Sequence, residues 1–290
     1  MDPEQPVPAV PTQVAVVGAG RMGSGIAHAF LLAGSRVQLH DVDTGATERG
    51  RQATETSVRR AAEHGLVTDV DEVLDRLEAR VGVVGFDRVD LAIEAVPELP
   101  ELKRSVLTAI SDNAPSSAVI ATNTSSISVS ALARGVTTPS HFVGMHFFNP
   151  VPSSQLVELV RGDLTGESTI DSARAWVAAL GKESIVVRDS PGFATSRLGL
   201  VIGLEAIRML EAGVASPDDI DRGMVLGYRF PMGPLRLTDV VGLDVRLGIA
   251  EYLESQLGPS FTPPALLREL VARGDLGRKS GRGFFDWTVH

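Results

Sequence analysis

A glycine-rich turn between an apolar run and a helical segment is the feature that most constrains this chain. The run Val14 to Val17 is β-branched, as expected of a parallel strand buried on both faces. Gly18, Gly20 and Gly23 follow at G-x-G-x-x-G spacing, and helical periodicity then continues to Gly34. The first glycine permits the tight turn, the second lets a pyrophosphate approach the backbone, and the third lets helix and strand pack closely. The unit predicts dinucleotide binding at a helix N-terminus.

An acidic residue completes this unit. Asp41 ends the next strand, "RVQLHD", where a carboxylate can accept hydrogen bonds from both adenosine-ribose hydroxyls. A carboxylate repels a 2′-phosphate, and no arginine lies within "DVDTG", so NAD is favoured over NADP. Asp43 is a rival for the ribose, although its place beyond the strand is typical of a turn residue. The glycine motif alone is weak, and the alternative is a glycine-rich turn in an unrelated α/β domain.

Three further buried runs each end in polar residues. They are Val89 to Val96, Val119 to Ala121 and the run in "HFVGMHFFNP". Ligands bind at the carboxyl ends of strands in open α/β sheets, so the residues that follow these runs should converge on one crevice. Those residues are Glu98, Asn123, Ser125 and His146. Residues 44–80 are predicted to be a charged, helical excursion before the sheet resumes.

The second half of the chain has helical rather than strand patterns. Leu198 to Leu210 and residues 243–257 have helical periodicity, and Ser216 followed by proline and acids is typical of a helix N-cap. We therefore predict an α/β fold: a Rossmann-type doubly wound sheet over residues 12–190, followed by a smaller all-helical domain over residues 191–290.

Composition excludes several functions. The net charge of -9 argues against nucleic acid as a partner, and the absence of cysteine excludes disulfides, zinc–cysteinate sites and thiol nucleophiles. No segment has about 18 uninterrupted apolar residues, so no membrane span is expected.

Residues 1–11 are Pro-rich and predicted to be a disordered tail, without signal-peptide features. The histidines lack metal-ligand spacing, so no metal is predicted. A cytoplasmic location is the expectation.

The stretch "HFFNPVPSSQLVE" leaves two interpretations open. His146 begins it and Glu158 ends it, with a turn-forming Asn-Pro-Val-Pro between them. If the turn brings the two flanking segments together, they form a base and its orienting carboxylate. Otherwise they are a strand-end histidine and a surface acid.

Seven motifs in order give the chain a family resemblance. They are "VGAGRMGSGIA", "IEAVPE…K", "TNTSS", "HFFNPVP…LVE", "DSPGF", "PMGPLRLTDVVGLD" and "GRKSGRGFFDW". From about residue 12 to residue 287 the chain resembles the 3-hydroxyacyl-CoA dehydrogenases, near the short 3-hydroxybutyryl-CoA type. The resemblance implies NAD as cofactor and an acyl-CoA or acyl carrier protein thioester as substrate. It also implies a homodimer formed through the helical domain, which would contribute to the substrate cleft.

The resemblance also implies residue roles. His146 is expected to be the general base, Glu158 its orienting carboxylate, and Ser125 the hydroxyl that contacts the reacting oxygen. Asn149 should help to place the nicotinamide and the substrate. Further cofactor contacts are expected at Met22, Ala95, Glu98, Lys103 and Asn123. The excursion would hold the CoA end through Ser57 and Arg60, with Arg59 and His64 nearby, although a solvated helix face is the alternative.

One position departs from the family pattern. "DSPGFATSR" has Ser196 where the family has an active-site asparagine. Three interpretations follow: a 3-hydroxybutyryl-CoA-type enzyme that tolerates serine, a dehydrogenase for a polar three-carbon acyl group on a carrier protein in polyketide extender-unit synthesis, or a non-catalytic NAD-binding or crystallin-like structural relative. The presence of Ser125, His146 and Glu158 argues against the third.

Overall fold

The first half of the chain forms one eight-stranded sheet flanked by helices. A computed structural model describes residues 10–288, which divide into two compact units at Asp189 and Ser190. The strands are β1 (Gln13–Val17), β2 (Arg36–Asp41), β3 (Leu77–Val81), β4 (Leu91–Glu94), β5 (Val119–Thr122), β6 (Phe142–Phe147), β7 (Leu156–Arg161) and β8 (Glu183–Arg188). The helices of this unit are α1 (Arg21–Leu32), α2 (Thr44–Glu63), α3 (Val70–Leu74), α4 (Pro100–Asn113), α5 (Val129–Leu132) and α6 (Glu167–Ala179).

The strand order places the predicted site residues at one edge of the sheet. The order is β3-β2-β1-β4-β5-β6-β7-β8, with β6 and β7 antiparallel and every other neighbouring pair parallel. The carboxyl ends of β1, β2, β4, β5 and β6 therefore share an edge, and β7 starts from that same edge. Residues Val14 to Val17 of β1 and Leu91 to Ile93 of β4 are apolar and buried, as their sequence predicted. The Rossmann-type α/β prediction is confirmed.

The second unit is helical in the part that the structure describes. Its helices are α7 (Thr195–Glu211), α8 (Pro217–Arg222), α9 (Pro234–Val241), α10 (Leu243–Leu257) and α11 (Ala265–Ala272). A core of residues such as Leu204, Leu235 and Leu253 packs between them. Ser216 caps α8 by accepting a hydrogen bond from the Asp219 amide at 3.2 Å, so the predicted N-cap is confirmed.

Two details differ from the predictions. Strand β3 (Leu77–Val81) starts within residues 44–80, for which the prediction is a helical excursion, and it pairs with β2 at one edge of the sheet. Residues 1–9 of the predicted tail lie outside the described residues. Pro11, predicted as the tail's last residue, is buried, and its carbonyl accepts a hydrogen bond from the Ser35 hydroxyl at 2.7 Å. Pro11 is thus packed against the first unit rather than disordered.

Candidate active site

The glycine loop between β1 and α1 leaves room for a diphosphate. Gly18 has φ +105°, and a Cβ there would lie 2.6 Å from the Ala95 carbonyl oxygen; at Gly23 it would lie 1.7 Å from the Gly18 carbonyl oxygen. Side chains at these two positions are therefore excluded. Gly20 faces open space, with nothing within 4 Å of such a Cβ. The N-terminal amides of α1 follow directly, so the loop fits a dinucleotide phosphate.

A cavity of about 430 Å³ adjoins this loop and contains the predicted ribose ligand. Asp41 accepts hydrogen bonds from the Ala19 and Val42 amides, both at 2.7 Å, which fixes its carboxylate beside the glycine loop. Asp43 instead caps α2 by accepting from the Ala46 amide at 2.8 Å. The lining also includes two arginines that sequence reasoning missed, because it considered only the residues next to Asp41. The lining residues are Ala19, Gly20, Arg21, Ser24, Asp41, Ala46, Arg49 and Ala53.

Two other predicted cofactor contacts lie close to the loop. Met22 is half-buried in the first turn of α1. Ala95 follows β4, and its amide donates to the Val17 carbonyl at 2.7 Å while its carbonyl packs against Gly18. The backbone after β4 thus forms the neighbouring wall of the glycine loop.

Glu98 organises the serine loop, residues 124–126, that follows β5. Its Oε1 accepts hydrogen bonds from the Thr124 hydroxyl at 2.5 Å, the Ser125 amide at 2.9 Å and the Ser126 amide at 3.2 Å. The Ser125 hydroxyl lies 3.3 Å from the same oxygen. Burial opposes ionisation of this carboxyl, but the charge of Lys103 and the hydrogen bonds from Thr124 and Ser125 outweigh it and lower the pKa of Glu98. Glu98 and Ser125 are therefore brought together as predicted.

Lys103, a predicted cofactor contact, is buried at the start of α4. Only 1% of its side chain is exposed, and it forms an ion pair with the fully enclosed Glu94, with Nζ 2.8 Å from Oε1. A buried charge must be paired, and this pair meets that requirement between β4 and α4. Glu94 lies in the predicted buried run Val89 to Val96, and the acid within "LAIEA" is the sequence signal for a buried ion pair.

Asn123 connects the ends of β5 and β6. Its Oδ1 accepts a hydrogen bond from the Phe147 amide at 2.9 Å, next to His146. Its own amide donates to the Glu94 carbonyl at 2.8 Å. Asn123 therefore joins the carboxyl ends of three neighbouring strands, β4, β5 and β6, by hydrogen bonds.

His146 and Glu158 lie opposite each other on antiparallel strands. They are register partners on β6 and β7, and His146 Nδ1 is 3.0 Å from Glu158 Oε2. Glu158 is fully enclosed and His146 nearly so, and the imidazole also packs on Phe148 with ring centroids 4.4 Å apart. If Nδ1 donates its proton to the carboxylate, a neutral imidazole carries its lone pair on Nε2. This arrangement suits a histidine that exchanges protons through Nε2.

Lys182 holds the turn between β6 and β7, which contains the exposed Asn149. The Lys182 ammonium donates to the carbonyls of Val151 and Ser154. Val151 also packs against Gly25 of α1, where a Cβ would lie 2.9 Å from the Val151 Cβ. The turn that joins the two strands is therefore fixed from two sides.

A second carboxylate supports the segment after the serine loop. Asp189 Oδ2 accepts hydrogen bonds from the Ser128 hydroxyl and the Ser130 amide, both at 2.7 Å. Sequence reasoning missed this role because residues 128 and 189 are far apart in the chain.

The expected CoA-binding residues lie along α2. Ser57 is half-buried, whereas Arg60 and Arg59 are exposed and form no ion pair with any residue from 10 to 288. Arg51 on the same helix is instead paired with Glu48 and Glu55. His64 caps the C-terminal end of α2. The C-terminal half of the helix therefore offers two guanidinium groups that form no ion pair within residues 10–288.

Ser196 belongs to the second unit, where it is half-buried in the first turn of α7.

Within residues 10–288 no group of three or more His, Asp or Glu side chains could hold a metal ion. Over the same range no helix is long and apolar enough to cross a membrane.

Comparison with known proteins identifies the family of this chain. Residues 13–190 match the family "3-hydroxyacyl-CoA dehydrogenase, NAD binding domain", and residues 192–287 match its C-terminal domain. The chain is 40% identical over 278 residues to a probable 3-hydroxybutyryl-CoA dehydrogenase of Bacillus subtilis, which covers 95% of this chain and 97% of that protein.

Solved structures have the same fold. The (S)-3-hydroxybutyryl-CoA dehydrogenase PaaH1 of Ralstonia eutropha superposes with a TM-score of 0.91 at 39% identity, over 96% of this chain and 99% of that one. FadB2 of M. tuberculosis superposes with a TM-score of 0.92 at 38% identity, over 97% of this chain and 100% of that one. The chain belongs to the 3-hydroxyacyl-CoA dehydrogenase family, with NAD as its cofactor.

Proposed function

We propose that this protein interconverts 3-hydroxyacyl and 3-oxoacyl thioesters with NAD, acting on an acyl group like that of 3-hydroxybutyryl-CoA. The observation that carries the proposal is the 3.0 Å contact between His146 Nδ1 and Glu158 Oε2 at the carboxyl edge of the sheet. The names of relatives about 40% identical, such as the Bacillus subtilis protein, support the substrate class.

His146 is the proposed acid and base. Bound NAD would supply the acceptor for the hydride of C3. In the oxidation direction His146 Nε2 takes up the 3-hydroxyl proton. Glu158 keeps the Nδ1 proton in place and stabilises the imidazolium that forms. The low exposure of both side chains strengthens this interaction, because little water screens it.

Ser125 is the proposed contact of the reacting oxygen. Its loop is held by the Glu98 carboxylate, so the hydroxyl has a fixed position rather than that of a mobile surface serine. Asn149, exposed in the turn held by Lys182, is proposed to help to place the nicotinamide and the substrate. A fixed geometry of this kind lowers the entropic cost of reaching the transition state.

We assign the CoA end to Ser57 and Arg60 of α2. The unpaired guanidinium groups of Arg59 and Arg60 can bind the phosphates of CoA without first breaking an ion pair.

We also propose a homodimer formed through the second unit, which exposes large apolar side chains: Leu198, Leu226, Tyr228, Val245 and Met232. Sedimentation at micromolar concentration should give twice the mass of the chain.

Ser196 favours a second candidate function. The position that holds asparagine in the family has a shorter side chain without an amide, which leaves space for a polar acyl group. The second candidate is oxidation of a polar three-carbon acyl group on an acyl carrier protein.

A non-catalytic NAD-binding or structural role is the third candidate. The enclosed His146–Glu158 pair argues against it, because burying two ionisable side chains costs desolvation free energy and a structural protein has no use for the pair.

The test measures NADH absorbance with acetoacetyl-CoA and, separately, with a polar three-carbon 3-oxoacyl group on a carrier protein. Rapid NADH loss with acetoacetyl-CoA is the expected result. Loss only with the carrier-bound group would support the second candidate. If neither thioester is reduced although NADH binds, the dehydrogenase proposal for these substrates is wrong.

A further inference from the structure

Arg246 is a charged residue at a core position of α10. The buried positions of this helix are Leu243, Arg246, Ala250 and Leu253, so an arginine lies where the helix otherwise carries apolar side chains. Only 7% of Arg246 is exposed. Taking a guanidinium out of water is costly unless an anion is bound to it.

No anion within the described part of the chain meets this requirement. Across residues 10–288 no carboxylate forms an ion pair with Arg246, and its buried Nε has no hydrogen-bond partner. Burial lowers the pKa of Arg246 to about 10, with no acid to offset it. Three arginines of the same unit that reach the surface each pair with an acid: Arg208 with Glu205, Arg236 with Asp218 and Arg268 with Glu251. The buried guanidinium thus lacks the counter-charge that these three have.

The guanidinium of Arg246 lies against the backbone of α7. Its Nη1 and Nη2 are 3.6 and 3.8 Å from the point that a Gly199 Cβ would occupy. Because glycine has no side chain, residue 199 leaves the space beside the guanidinium open. Gly199 follows Ser196 by three residues, and positions three apart lie on one face of a helix with Cβ atoms about 5–6 Å apart. The unpaired charge therefore lies about one helical turn along α7 from Ser196.

We propose that Arg246 is a specificity-determining residue that binds a carboxylate at the far end of the acyl group, so that the preferred substrate is a 3-hydroxyacyl thioester with a terminal carboxylate. The inference rests on the proposed function, which places the acyl group beside Ser196. A carboxylate suits a guanidinium, because its two oxygens can accept two parallel N–H hydrogen bonds. The phosphates of CoA are the other anions of such a substrate, but their proposed ligands are on α2 of the first unit.

The length of the acyl group follows from this spacing. In a six-carbon acyl group the terminal carboxylate lies three carbons beyond C3, a span of about 5 Å that is close to the pitch of one helical turn. Acetoacetyl-CoA ends one carbon beyond C3 and carries no charge there. It can therefore react without contacting Arg246.

The direct test measures the Kd of two CoA thioesters that lack the 3-hydroxyl and differ only at the chain end, hexanedioyl-CoA and hexanoyl-CoA. Arg246→Met removes the charge and keeps an unbranched side chain, whereas Arg246→Lys keeps the charge without the planar fork. Arg268→Met is the matched control, since Arg268 belongs to the same unit and forms an exposed pair with Glu251 of α10. The Tm of each variant checks folding, and loss of an unpaired buried charge should leave Tm unchanged or higher.

We expect wild type to bind hexanedioyl-CoA about tenfold or more tightly than hexanoyl-CoA. Arg246→Met should lose this preference through weaker binding of hexanedioyl-CoA, Arg246→Lys should keep part of it, and the control should keep all of it. Equal Kd values in wild type would overturn the proposal, and so would a preference that survives in folded Arg246→Met.

Turnover separates this inference from the proposed function. The kcat/KM for oxidation of (S)-3-hydroxyhexanedioyl-CoA should fall about tenfold or more in Arg246→Met, while reduction of acetoacetyl-CoA stays within about twofold of wild type. An equal fall with both thioesters would contradict a contact at the chain end. A wild-type protein that prefers hexanedioyl-CoA in binding but turns over neither thioester would refute the proposed function and still support Arg246 as the carboxylate ligand.

Discussion

At the scale of single residues, two aspartates two positions apart have different surroundings. Asp41 lies beside the glycine loop and lines its cavity, whereas Asp43 caps α2. Arg21 and Arg49 line the same cavity, so its preference between cofactors depends on the balance between one carboxylate and two guanidinium groups. Removing the carboxylate leaves the cations, which favour a 2′-phosphate.

Asp41→Ala should therefore narrow the preference for NAD over NADP by about tenfold or more, which corresponds to ~1.4 kcal/mol. The measurement is kcat/KM with each cofactor at fixed acetoacetyl-CoA. Asp43→Ala is the control: it should leave the preference unchanged and reduce the free energy of unfolding by about 1 kcal/mol through the lost cap. An unchanged preference in Asp41→Ala would assign the ribose to another residue.

Ser196→Asn tests the departure from the family pattern. If the shorter side chain limits the rate with acetoacetyl-CoA, asparagine should raise kcat severalfold. This increase corresponds to an activation free energy that is lower by about 1 kcal/mol. Activity with a polar three-carbon acyl group should fall in the same variant. Equal rates for the two proteins with both substrates would show that this position does not select the acyl group.

At the scale of elements, the antiparallel pair β6 and β7 depends on the turn between them. Lys182→Met removes the hydrogen bonds to the carbonyls of Val151 and Ser154, each formed by a charged donor. We expect a loss of about 1–3 kcal/mol in the free energy of unfolding and faster amide exchange in residues 149–154. Exchange in the β1–β2 region serves as the internal control. Uniform acceleration across the whole sheet would contradict a local role for Lys182.

Elements with a strong local pattern were predictable from the sequence. The strand that precedes Gly18 has a buried apolar run, and the helix that contains Leu198 to Leu210 has one apolar face. Strand β3 was missed because it is an edge strand with few buried positions, so its sequence lacks the apolar run of a central strand. The His146–Glu158 proximity was predictable because a short turn separates the two strands, whereas Asp189 and Ser128 meet only through the fold.

At the scale of the whole molecule, acid stability should depend on a buried histidine of α1. Burial, and secondarily the charge of Lys182, lowers the pKa of His28 to about 4 from an ordinary value of 6.5. The unfolded chain therefore binds a proton at a higher pH than the folded chain does, and stability falls as the pH drops below 6.5. From pH 7 to pH 4 the loss should be about 3 kcal/mol.

Denaturant unfolding of wild type and His28→Leu at several pH values measures this effect. The leucine variant cannot titrate at this position, so the difference in unfolding free energy between the two proteins should change by that amount across the range. A difference that is independent of pH would mean that His28 is not the group responsible.

The central claim is that His146 transfers the proton during hydride transfer. The most direct measurement compares kcat of wild type and His146→Gln with acetoacetyl-CoA and NADH, together with the Kd of NADH for both proteins. We predict that kcat falls by about 10²-fold or more while the Kd of NADH stays within about twofold, because the imidazole acts on the substrate rather than on the cofactor. A variant with near wild-type kcat would contradict the account.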